Sequence, residues 1–554
     1  MKFTQIFKTT AVALGAVVAL SGCIRETLPQ DSAITESQLG SGNMEYLVKG
    51  ISSGMLSYVS GWEHTDFGYH SVGVYNDHAC KLMTTGGWLL GLPEGYNRFY
   101  ASQYAWGYAP ASALSQHVWY NYYPQIKSCN DIIGAAAGDE TNRTAEAFAR
   151  TYRALFYLDL ARMFECLYAE ATNASSYESQ QLEVVGLTVP IVDENTDEAK
   201  AKNNPRATRE EIFNFIFADL AFAEEALADY RQTSPTNPTL AVVYGLYARA
   251  YLWLGGFEDG LNGELPEGDA AYAKAAEYAR MAINAHGGAI MTEAEWTNPT
   301  TGFNTYASSW MWALVQSSDT IINNLFQFAA HLSPEAAYGY GPLSQPAISS
   351  AAYDRLRDTD FRKKVVKGPE TTWEEFEPYT LIEQDEFDSF APWTCFKFRP
   401  AQGERNDYMT AGASTLPLMR CEEMYFIEIE ATLHTSGVDA AWQLLVAFMA
   451  NRDSNYVCPF ADEKGVLDEI IFQKSMEFWG EGILMYDMKR LDMGVNTTLS
   501  GAKNYAPDAR FRTEGRLPWW TYCIPQGETQ INLAIVKNNP DPSQAHKPDK
   551  PTQN

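Results

Sequence analysis

The stretch EMYFIEIEATLHTSG (Glu423–Gly437) is followed directly by VDAAWQLLVAFMANR (Val438–Arg452), and these two segments decide the fold. In both, apolar residues recur every three or four positions, a spacing typical of an amphipathic helix. Gly437 separates them, and glycine commonly ends a helix because it adopts left-handed backbone angles without strain. The stretch therefore predicts two consecutive helices joined by a tight turn.

A second stretch has the same organisation. ARAYLWLGG (Ala248–Gly256) and AAYAKAAEYARMAINA (Ala270–Ala285) predict two helices separated by a longer insertion, Glu258–Asp269. Alanines recur where two helices must approach closely, and the pattern resembles a tetratricopeptide repeat. Two unrelated helical pairs would give the same pattern, so the repeat stays one of two interpretations.

Helical spacing continues elsewhere in the chain. Arg150 to Phe164 carries leucines on one face, and Thr208 precedes a similar run, with Glu211 placed to complete a capping box. Three long irregular stretches lie between the helical blocks: residues 62–110, 168–204 and 287–346. They are rich in aromatic residues, in which disordered segments are poor, so they are predicted to be binding loops.

The N-terminus resembles a bacterial lipoprotein signal. The apolar run Ala11–Leu20 is too short to span a bilayer, and it is followed by Leu20-Ser21-Gly22-Cys23, which resembles a lipobox. The alternative is an ordinary secretory signal with a chance cysteine. The expected organisation is a signal peptide (1–22), an acylated Cys23 with a flexible tether (23–43), a single domain (44–540) and a disordered tail (541–554).

Charge and cysteine usage exclude several kinds of partner. The formal charge of −28 repels phosphate backbones, so nucleic-acid binding is not expected. Besides Cys23, the chain has seven scattered cysteines without metal-ligand spacing, which are predicted to be buried free thiols. His64 and His70 share a loop but lack further ligands, so no metal and no cofactor are expected.

Several short motifs, in order along the chain, resemble those of the SusD/RagB family of outer-membrane nutrient-binding lipoproteins. They are Trp119-x3-Tyr123-x2-Ile126-x3-Asn130-Asp131-Ile132-Ile133, Ala147–Leu155, Gly186–Pro190, Pro205–Thr208 with Asp219-Leu220, Tyr353-Asp354 with Asp358, Asp360 and Arg362, Leu418–Glu423, Glu477–Gly482 with Asp487–Arg490, and Ile524-Pro525. The chain departs from the pattern at Gln473-Lys474 and Leu484, and the motif at the end of one helix keeps only Arg452.

The charged residues of the last motifs also have a plain structural interpretation. Asp487 and Arg490, three apart, are expected to face the same side of a helix, as are Glu477 and Glu481, four apart. Such pairs usually hold packed helices in register.

The resemblance implies a mainly α-helical protein with a SusD-like scaffold of tetratricopeptide-like helix pairs, long irregular loops and a few short strands. It further implies a non-enzymatic lipoprotein of the outer membrane, lipid-anchored and facing the cell surface. Such a protein would bind an oligosaccharide or polysaccharide nutrient and deliver it to a SusC-like TonB-dependent β-barrel transporter.

Aromatic residues are the candidate ligand contacts, because sugars stack their C–H faces on flat rings and seek polar partners for their hydroxyls. Trp88 follows Gly86-Gly87 in a loop that matches the family's ligand-contacting region, and Trp310 and Trp312 are expected in the core. The candidate ligand-binding residues are Trp88, Tyr96, Asn97, Tyr100, Trp106, Trp296, Tyr338 and Tyr340.

Three other functions fit the same residues. The chain could be a tetratricopeptide scaffold that organises envelope enzymes, or a SusD-like binder of peptides or glycopeptides. It could also be a glycosidase that uses an acid pair such as Glu374-Glu375, or Glu383 with Asp385. Solvated charge is the default interpretation of such acidic runs.

Overall fold

Helices account for most of the secondary structure, as the apolar spacing predicts. The computed structural model describes residues 44–57, 64–88, 105–167, 180–257, 264–498, 504–506 and 509–544, and for Trp88, Trp106 and Gln544 only the backbone. The longer helices within these residues are α1 (Met44–Gly54), α2 (Tyr69–Ala79), α3 (Ala113–Ala136), α4 (Arg143–Phe164), α5 (Arg209–Ala226), α6 (Leu240–Gly255), α7 (Gly268–His286), α8 (Cys421–Ser436), α9 (Val438–Met449), α10 (Glu463–Glu477) and α11 (Leu484–Arg490).

Shorter helical segments lie between these helices. Short α-helices of four to six residues are Glu198–Ala201, Glu293–Trp296, Ala329–Leu332, Gly341–Ser344, Ser350–Arg355, Trp373–Phe376, Gln384–Phe387, Tyr408–Ala411 and Gln526–Ile531. The 3-10 turns are Gly86–Trp88, Ala105–Tyr108, Glu140–Asn142, Ser318–Thr320, Phe361–Val365, Glu377–Tyr379, Ala401–Gly403, Pro518–Trp520 and Pro542–Gln544.

Helices that follow one another in the chain pack in pairs. Contacts join α3 to α4, α4 to α5, α6 to α7 and α8 to α9, and α7 also packs on α8. Both predicted helix pairs are confirmed, and Gly437 separates α8 from α9 with a φ of 84°. The fold class is therefore the predicted one: mainly α, with tetratricopeptide-like helix pairs.

The sequence spacing of apolar residues explains how the last helix pair is buried. Phe426, Ile429 and Leu433 lie on one face of α8, and Leu445 and Phe448 on one face of α9. These side chains join a single buried cluster with residues of α10. Each large apolar side chain buried in this way contributes about 1.5–3 kcal/mol, so packing rather than helix propensity holds the pair.

The capping box predicted for α5 is present. The backbone N–H of Glu211 donates to Thr208 Oγ1 at 3.2 Å, and the backbone N–H of Thr208 donates to Glu211 Oε2 at 2.8 Å. Two of the N–H groups that a helix start leaves without partners are satisfied in this way.

Two small antiparallel sheets connect distant parts of the chain. Strand β1 (Met83–Thr85) pairs with β3 (Pro346–Ile348), placing Met83 opposite Ile348. Strand β2 (Trp310–Val315) pairs with β4 (Thr415–Arg420), with shifts in register between Trp310 and Ala313. Trp310 and Trp312 are fully buried on β2, as predicted.

A buried charge network joins β4, α10 and the segment after α9. Arg452 Nε lies 2.8 Å from Glu477 Oε2, and Arg420 Nη1 lies 3.1 Å from Glu477 Oε1. Arg420 Nε also lies 2.9 Å from Glu481 Oε2, and Lys397 Nζ lies 2.7 Å from Glu481 Oε1. Buried charges need such partners, so the network fixes how these elements meet.

The two motif departures on α10 keep polar partners. Lys474 Nζ lies 2.6 Å from Asp487 Oδ2, and Gln473 bonds to both Arg362 and Glu469. The substituted residues thus stay inside the same charged core.

Two expectations from the sequence are wrong. Residues 62–110 are not irregular throughout, because they contain α2, whose buried polar residues such as Asn76 and Asp77 hide the helical pattern. Glu477 and Glu481 do not share a helix, because α10 ends at Glu477. Their carboxylates converge on Arg420 through the turn that follows, whereas Asp487 and Arg490 do pair within α11, at 3.0 Å.

The described residues from Tyr46 onward form one compact unit. Within the described residues, no helix is both long and apolar enough to cross a membrane. All seven cysteines from Cys80 to Cys523 are buried as free thiols, as predicted. The signal, the acylation site and the tether lie outside the described residues, apart from the boundary at Met44.

Candidate functional site

The β1–β3 pairing brings two predicted ring-rich loops together. Trp88 lies in the 3-10 turn directly after β1, and the segment Tyr338–Gly341 lies shortly before β3. The backbone N–H of Gly86 donates to the carbonyl oxygen of Gln345 at 2.7 Å. A Cβ atom at Gly87 would lie 2.7 Å from the carbonyl oxygen of Leu343, so this close approach requires glycine.

Tyr340 lies at the centre of this region. Its hydroxyl forms a 2.8 Å hydrogen bond with Nδ1 of His64, and the two ring centroids are 5.4 Å apart. The His331 ring stacks on Tyr340 with centroids 5.4 Å apart, and Phe67 stacks on His331 at 4.8 Å. The half-buried Tyr340 ring is therefore held in place by rings from two separate segments.

Tyr338 is also half-buried and is fixed by a different set of groups. Its hydroxyl donates to Gln327 Oε1 at 3.2 Å, and its ring meets Tyr408 edge-on at 6.2 Å. Burial, and then the charges of Asp407 and Glu404, hold the pKa of Tyr338 well above its usual value, so the phenol stays protonated.

Gly339 allows these two tyrosines to stand beside each other. Its φ is +76°, and a Cβ atom there would lie 2.5 Å from the carbonyl oxygen of Ala330. Any L side chain would be strained at this position and would collide with backbone. The Gly-rich run Tyr338–Gly341 thus has a structural cause.

We call this region the ring surface and define it by residues that share partial exposure to solvent. Its polar groups are the tyrosine hydroxyls and the His64 imidazole, and its apolar part includes Leu343, which is 46% exposed. Rigid rings with a few convergent polar groups suit a ligand that has both C–H faces and hydroxyls. The ring surface consists of His64, Phe326, Tyr338, Tyr340, Leu343 and Tyr408, beside the Trp88 turn.

The candidate residues do not all reach this surface. Tyr338 and Tyr340 are on it, and the backbone turn of Trp88 adjoins it. The side chains of Trp88 and Trp106, and all of Tyr96, Asn97 and Tyr100, lie outside the described residues.

Trp296 requires a correction. Its ring is only 1% exposed and packs edge-on against Phe303, with Lys397 and Arg420 over its face. A ring enclosed in this way offers no face to a ligand, so Trp296 is a core residue that packs under the buried charge network.

Sequence reasoning missed several members of the ring surface. His64 was considered beside His70 as a metal pair, yet His70 Nε2 bonds to the carbonyl oxygen of Pro417 instead. Phe326 and Tyr408 lie in stretches of irregular sequence, where no periodicity distinguishes a surface ring from a core ring. The described residues contain no cluster of three or more His, Cys, Asp or Glu side chains that could hold a metal ion.

One arrangement has the residue types of a hydrolase triad. Ser71 Oγ lies 2.9 Å from His117 Nε2, and His117 Nδ1 lies 3.5 Å from Asp66 Oδ1. All three side chains are buried, and Ser71 Oγ donates to the carbonyl oxygen of Gly68 at 2.5 Å. A nucleophile needs access to substrate, so this arrangement is structural.

The acid pairs considered for glycosidase chemistry serve at least partly as helix caps. Glu375 completes a capping box with Thr372, and Glu383 forms a capping box with Glu386. Glu375 and Glu383 therefore have a structural use at the starts of two helical turns.

Solved structures similar to this chain share one fold. A SusD-like carbohydrate binding protein from Bacteroides vulgatus ATCC 8482 superposes with a TM-score of 0.67 at 19% identity, covering 90% of this chain and 97% of that one. A SusD superfamily protein from Bacteroides thetaiotaomicron VPI-5482 gives 0.64 at 17% identity, covering 90% and 99%. A SusD superfamily protein from Parabacteroides distasonis ATCC 8503 gives 0.63 at 15% identity, covering 91% and 99%.

These likenesses define the class of structure: a helical-repeat protein with the SusD-like fold. The resemblance indicated by the sequence motifs is confirmed at the level of the fold. No protein-family model matches the chain, and no curated protein matches it.

Proposed function

We propose that this chain is a non-catalytic binding protein that captures an oligosaccharide or polysaccharide on the ring surface. The observation that supports this most is the β1–β3 pairing, which places the Trp88 turn beside Tyr338 and Tyr340 on a SusD-like fold. A solved structure of that fold is described as carbohydrate binding, which makes a glycan the first ligand to test.

The contacts of the ring surface favour binding over chemistry. Tyr340 and Tyr338 are fixed through His64 and Gln327, so their rings are preorganised and lose little rotamer freedom on binding. Aromatic faces supply stacking area, while the hydroxyls and the imidazole can exchange hydrogen bonds with sugar hydroxyls.

A glycan panel tests the proposal. Protein lacking residues 1–23 is run through gels that contain individual polysaccharides, and a retarded protein identifies a ligand. Tyr340→Ala and Trp88→Ala should each weaken binding by about tenfold, the scale of one lost hot-spot ring. Tyr46→Ala and Trp442→Ala remove rings that are exposed elsewhere and should leave binding unchanged.

The panel also separates the alternatives. If no polysaccharide retards the protein, a peptide or glycopeptide becomes the preferred ligand and is tested by titration. If polysaccharide incubated with the protein acquires new reducing ends, the chain is a hydrolase and the binding proposal is wrong.

We further propose that Cys23 is acylated and anchors the protein to the outer membrane facing the cell surface, beside a SusC-like TonB-dependent transporter. The SusD-like fold and the lipobox support this arrangement, in which captured glycan is held at high local concentration above the transporter. Purification from detergent-solubilised membranes should recover a large β-barrel partner. Recovery of soluble enzymes instead would favour the scaffold function.

A further inference from the structure

Five aromatic rings on α5, α6 and α7 form a stack that the glycan proposal does not use. Tyr247 stacks on Tyr278 with centroids 4.4 Å apart and planes 19° apart, and Phe217 stacks on Tyr251 at 4.8 Å and 23°. Tyr244 packs against Tyr278 at 6.1 Å. We call Phe217, Tyr244, Tyr247, Tyr251 and Tyr278 the tyrosine stack.

Most rings of the tyrosine stack are partly exposed to solvent. Tyr247 is buried, but the other four rings are only half-buried, so a sizeable aromatic area remains in contact with water. Phe217 and Tyr278 flank the two α6 rings Tyr247 and Tyr251 from the neighbouring helices, which holds the stack rigid. Rigid, partly exposed tyrosines are the residues that most often dominate protein–protein interfaces.

Two carboxylates give this surface a negative character. Burial, and then the charge of Glu224 together with its hydrogen bond, raise the pKa of Tyr244. Burial and the neighbouring Tyr251, and then Glu224 and Glu277, raise the pKa of Tyr278 to about 12. The hydroxyls therefore stay protonated, and both carboxylates act on the same rings.

Glu224 has little local compensation. The adjacent Glu225 lies 2.7 Å from Arg143, whereas no Lys or Arg among the described residues forms an ion pair with Glu224. Glu277 is paired only with the exposed Lys274, at 3.2 Å. An exposed pair of that kind is weak and is readily exchanged for another cation.

We propose that the tyrosine stack is a docking surface for a positively charged, Arg- or Lys-bearing segment of a partner protein. Ring faces attract guanidinium and ammonium groups, and the carboxylates and phenol oxygens accept their hydrogen bonds. Charge complementarity selects this occupant, because Glu224 has no basic partner among the described residues and Glu277 has only the weak, exposed pair with Lys274. The tyrosine stack shares no residue with the ring surface, so each proposal can be tested independently of the other.

The test uses protein lacking residues 1–23 and an Arg-rich Gly/Ser peptide as the probe, with a Glu-containing peptide of equal length as the negative probe. Glu224→Gln with Glu277→Gln should weaken binding of the Arg peptide by about tenfold, and the Glu peptide should not bind. The matched control, Glu370→Gln with Glu374→Gln, removes the same charge from exposed positions elsewhere and should change affinity by less than about twofold.

A second pair of variants separates the rings from the charges. Tyr251→Phe with Tyr278→Phe keeps the stacking and the fold but removes two hydroxyls, and should weaken the peptide by several-fold. Equal weakening in both glutamate pairs would show general attraction to an acidic protein and overturn the proposal. Absence of Arg-peptide binding would also overturn the proposal. So would a Tyr251→Phe, Tyr278→Phe protein that binds the Arg peptide normally but no longer binds a neutral glycan.

Discussion

At the scale of single residues, Glu477 is the most constrained side chain of the buried charge network. Its two carboxylate oxygens contact the guanidinium groups of Arg452, Arg420 and Arg362 at 2.8–3.3 Å, and it is fully buried. Burial alone would raise the pKa of Glu477, but the three guanidinium groups hold it well below its usual range. The carboxylate is therefore ionised at any physiological pH.

Replacing this carboxylate leaves buried positive charge without a partner. Glu477→Gln should lower the free energy of unfolding by about 3–5 kcal/mol, measured by denaturant titration. Asp131→Asn breaks an exposed ion pair with Lys127 and should change the free energy of unfolding by less than about 1 kcal/mol. Equal effects of the two substitutions would show that the network does not hold the fold.

Three buried histidines make stability depend on pH. Burial lowers the pKa of His70 and His331 from 6.5 to about 4, and that of His78 to about 3. Between pH 6.5 and about 4 the unfolded chain therefore binds more protons than the folded chain, and stability falls as the pH falls. Asp77 acts in the opposite direction, since burial raises its pKa to about 8.

The three histidines outweigh the single aspartate, so the net slope stays positive. Denaturant titrations at pH 6.5 and at pH 4.5 should show a free energy of unfolding that is lower at pH 4.5 by a few kcal/mol. Each proton bound only by the unfolded chain contributes about 1.4 kcal/mol for each pH unit. His331→Gln should reduce that difference. A protein equally stable at both pH values would contradict the neutral, buried state of these imidazoles.

At the scale of secondary-structure elements, the close packing of α6 on α7 depends on one glycine. A Cβ atom at Gly255 would lie 2.6 Å from the ring of Tyr272. That ring cannot move away, because it stacks on His434 at 4.0 Å and its hydroxyl accepts from Arg490 at 2.9 Å. The glycine is therefore needed for the helices to meet.

Gly255→Ala should destabilise the protein by about 1–3 kcal/mol through this overpacking, seen as a lower unfolding midpoint. Gly50→Ala, in the exposed face of α1 with nothing within 4 Å of the new Cβ atom, should be neutral or stabilise by about 0.5–1 kcal/mol. If Gly255→Ala is as well tolerated as Gly50→Ala, the helices do not approach as closely as described.

Helices with regular apolar spacing could be predicted from the sequence, and other elements could not. The pair α8–α9 and the start of α5 followed from periodicity and a capping box, both of which are local signals. Helix α2 and the pairing of β1 with β3 escaped, because buried polar residues and three-residue strands are stabilised by contacts with distant segments.

The residues of the candidate site were also only partly predictable from the sequence. Tyr338 and Tyr340 were identified because they lie in an aromatic-rich stretch predicted to be a binding loop, but Trp296 lies in the same stretch and is enclosed in the core. Whether a ring is exposed depends on what packs against it, which local sequence does not encode. His64 could not be assigned to the site from the sequence, because only the fold brings it into contact with Tyr340.

At the scale of the whole molecule, the proposed attachment to a membrane depends on acylation of Cys23. Cys23→Ser in the full chain should move the protein from the membrane fraction to the soluble fraction after cell breakage, because the acyl chains supply about 0.8 kcal/mol for each buried CH₂ group. Ser37→Ala, in the expected tether, should leave it in the membrane fraction. A Cys23→Ser protein that stays with membranes would contradict the anchor.

We expect the ring surface to bind a glycan and to leave it intact. The most direct measurement is calorimetric titration of the protein lacking residues 1–23 with a polysaccharide from the panel, followed by size analysis of the recovered glycan. The prediction is saturable binding, weakened by about tenfold in Tyr340→Ala but not in Tyr46→Ala, with the glycan unchanged in length. Shortened glycan, or equal binding by Tyr340→Ala, would contradict it.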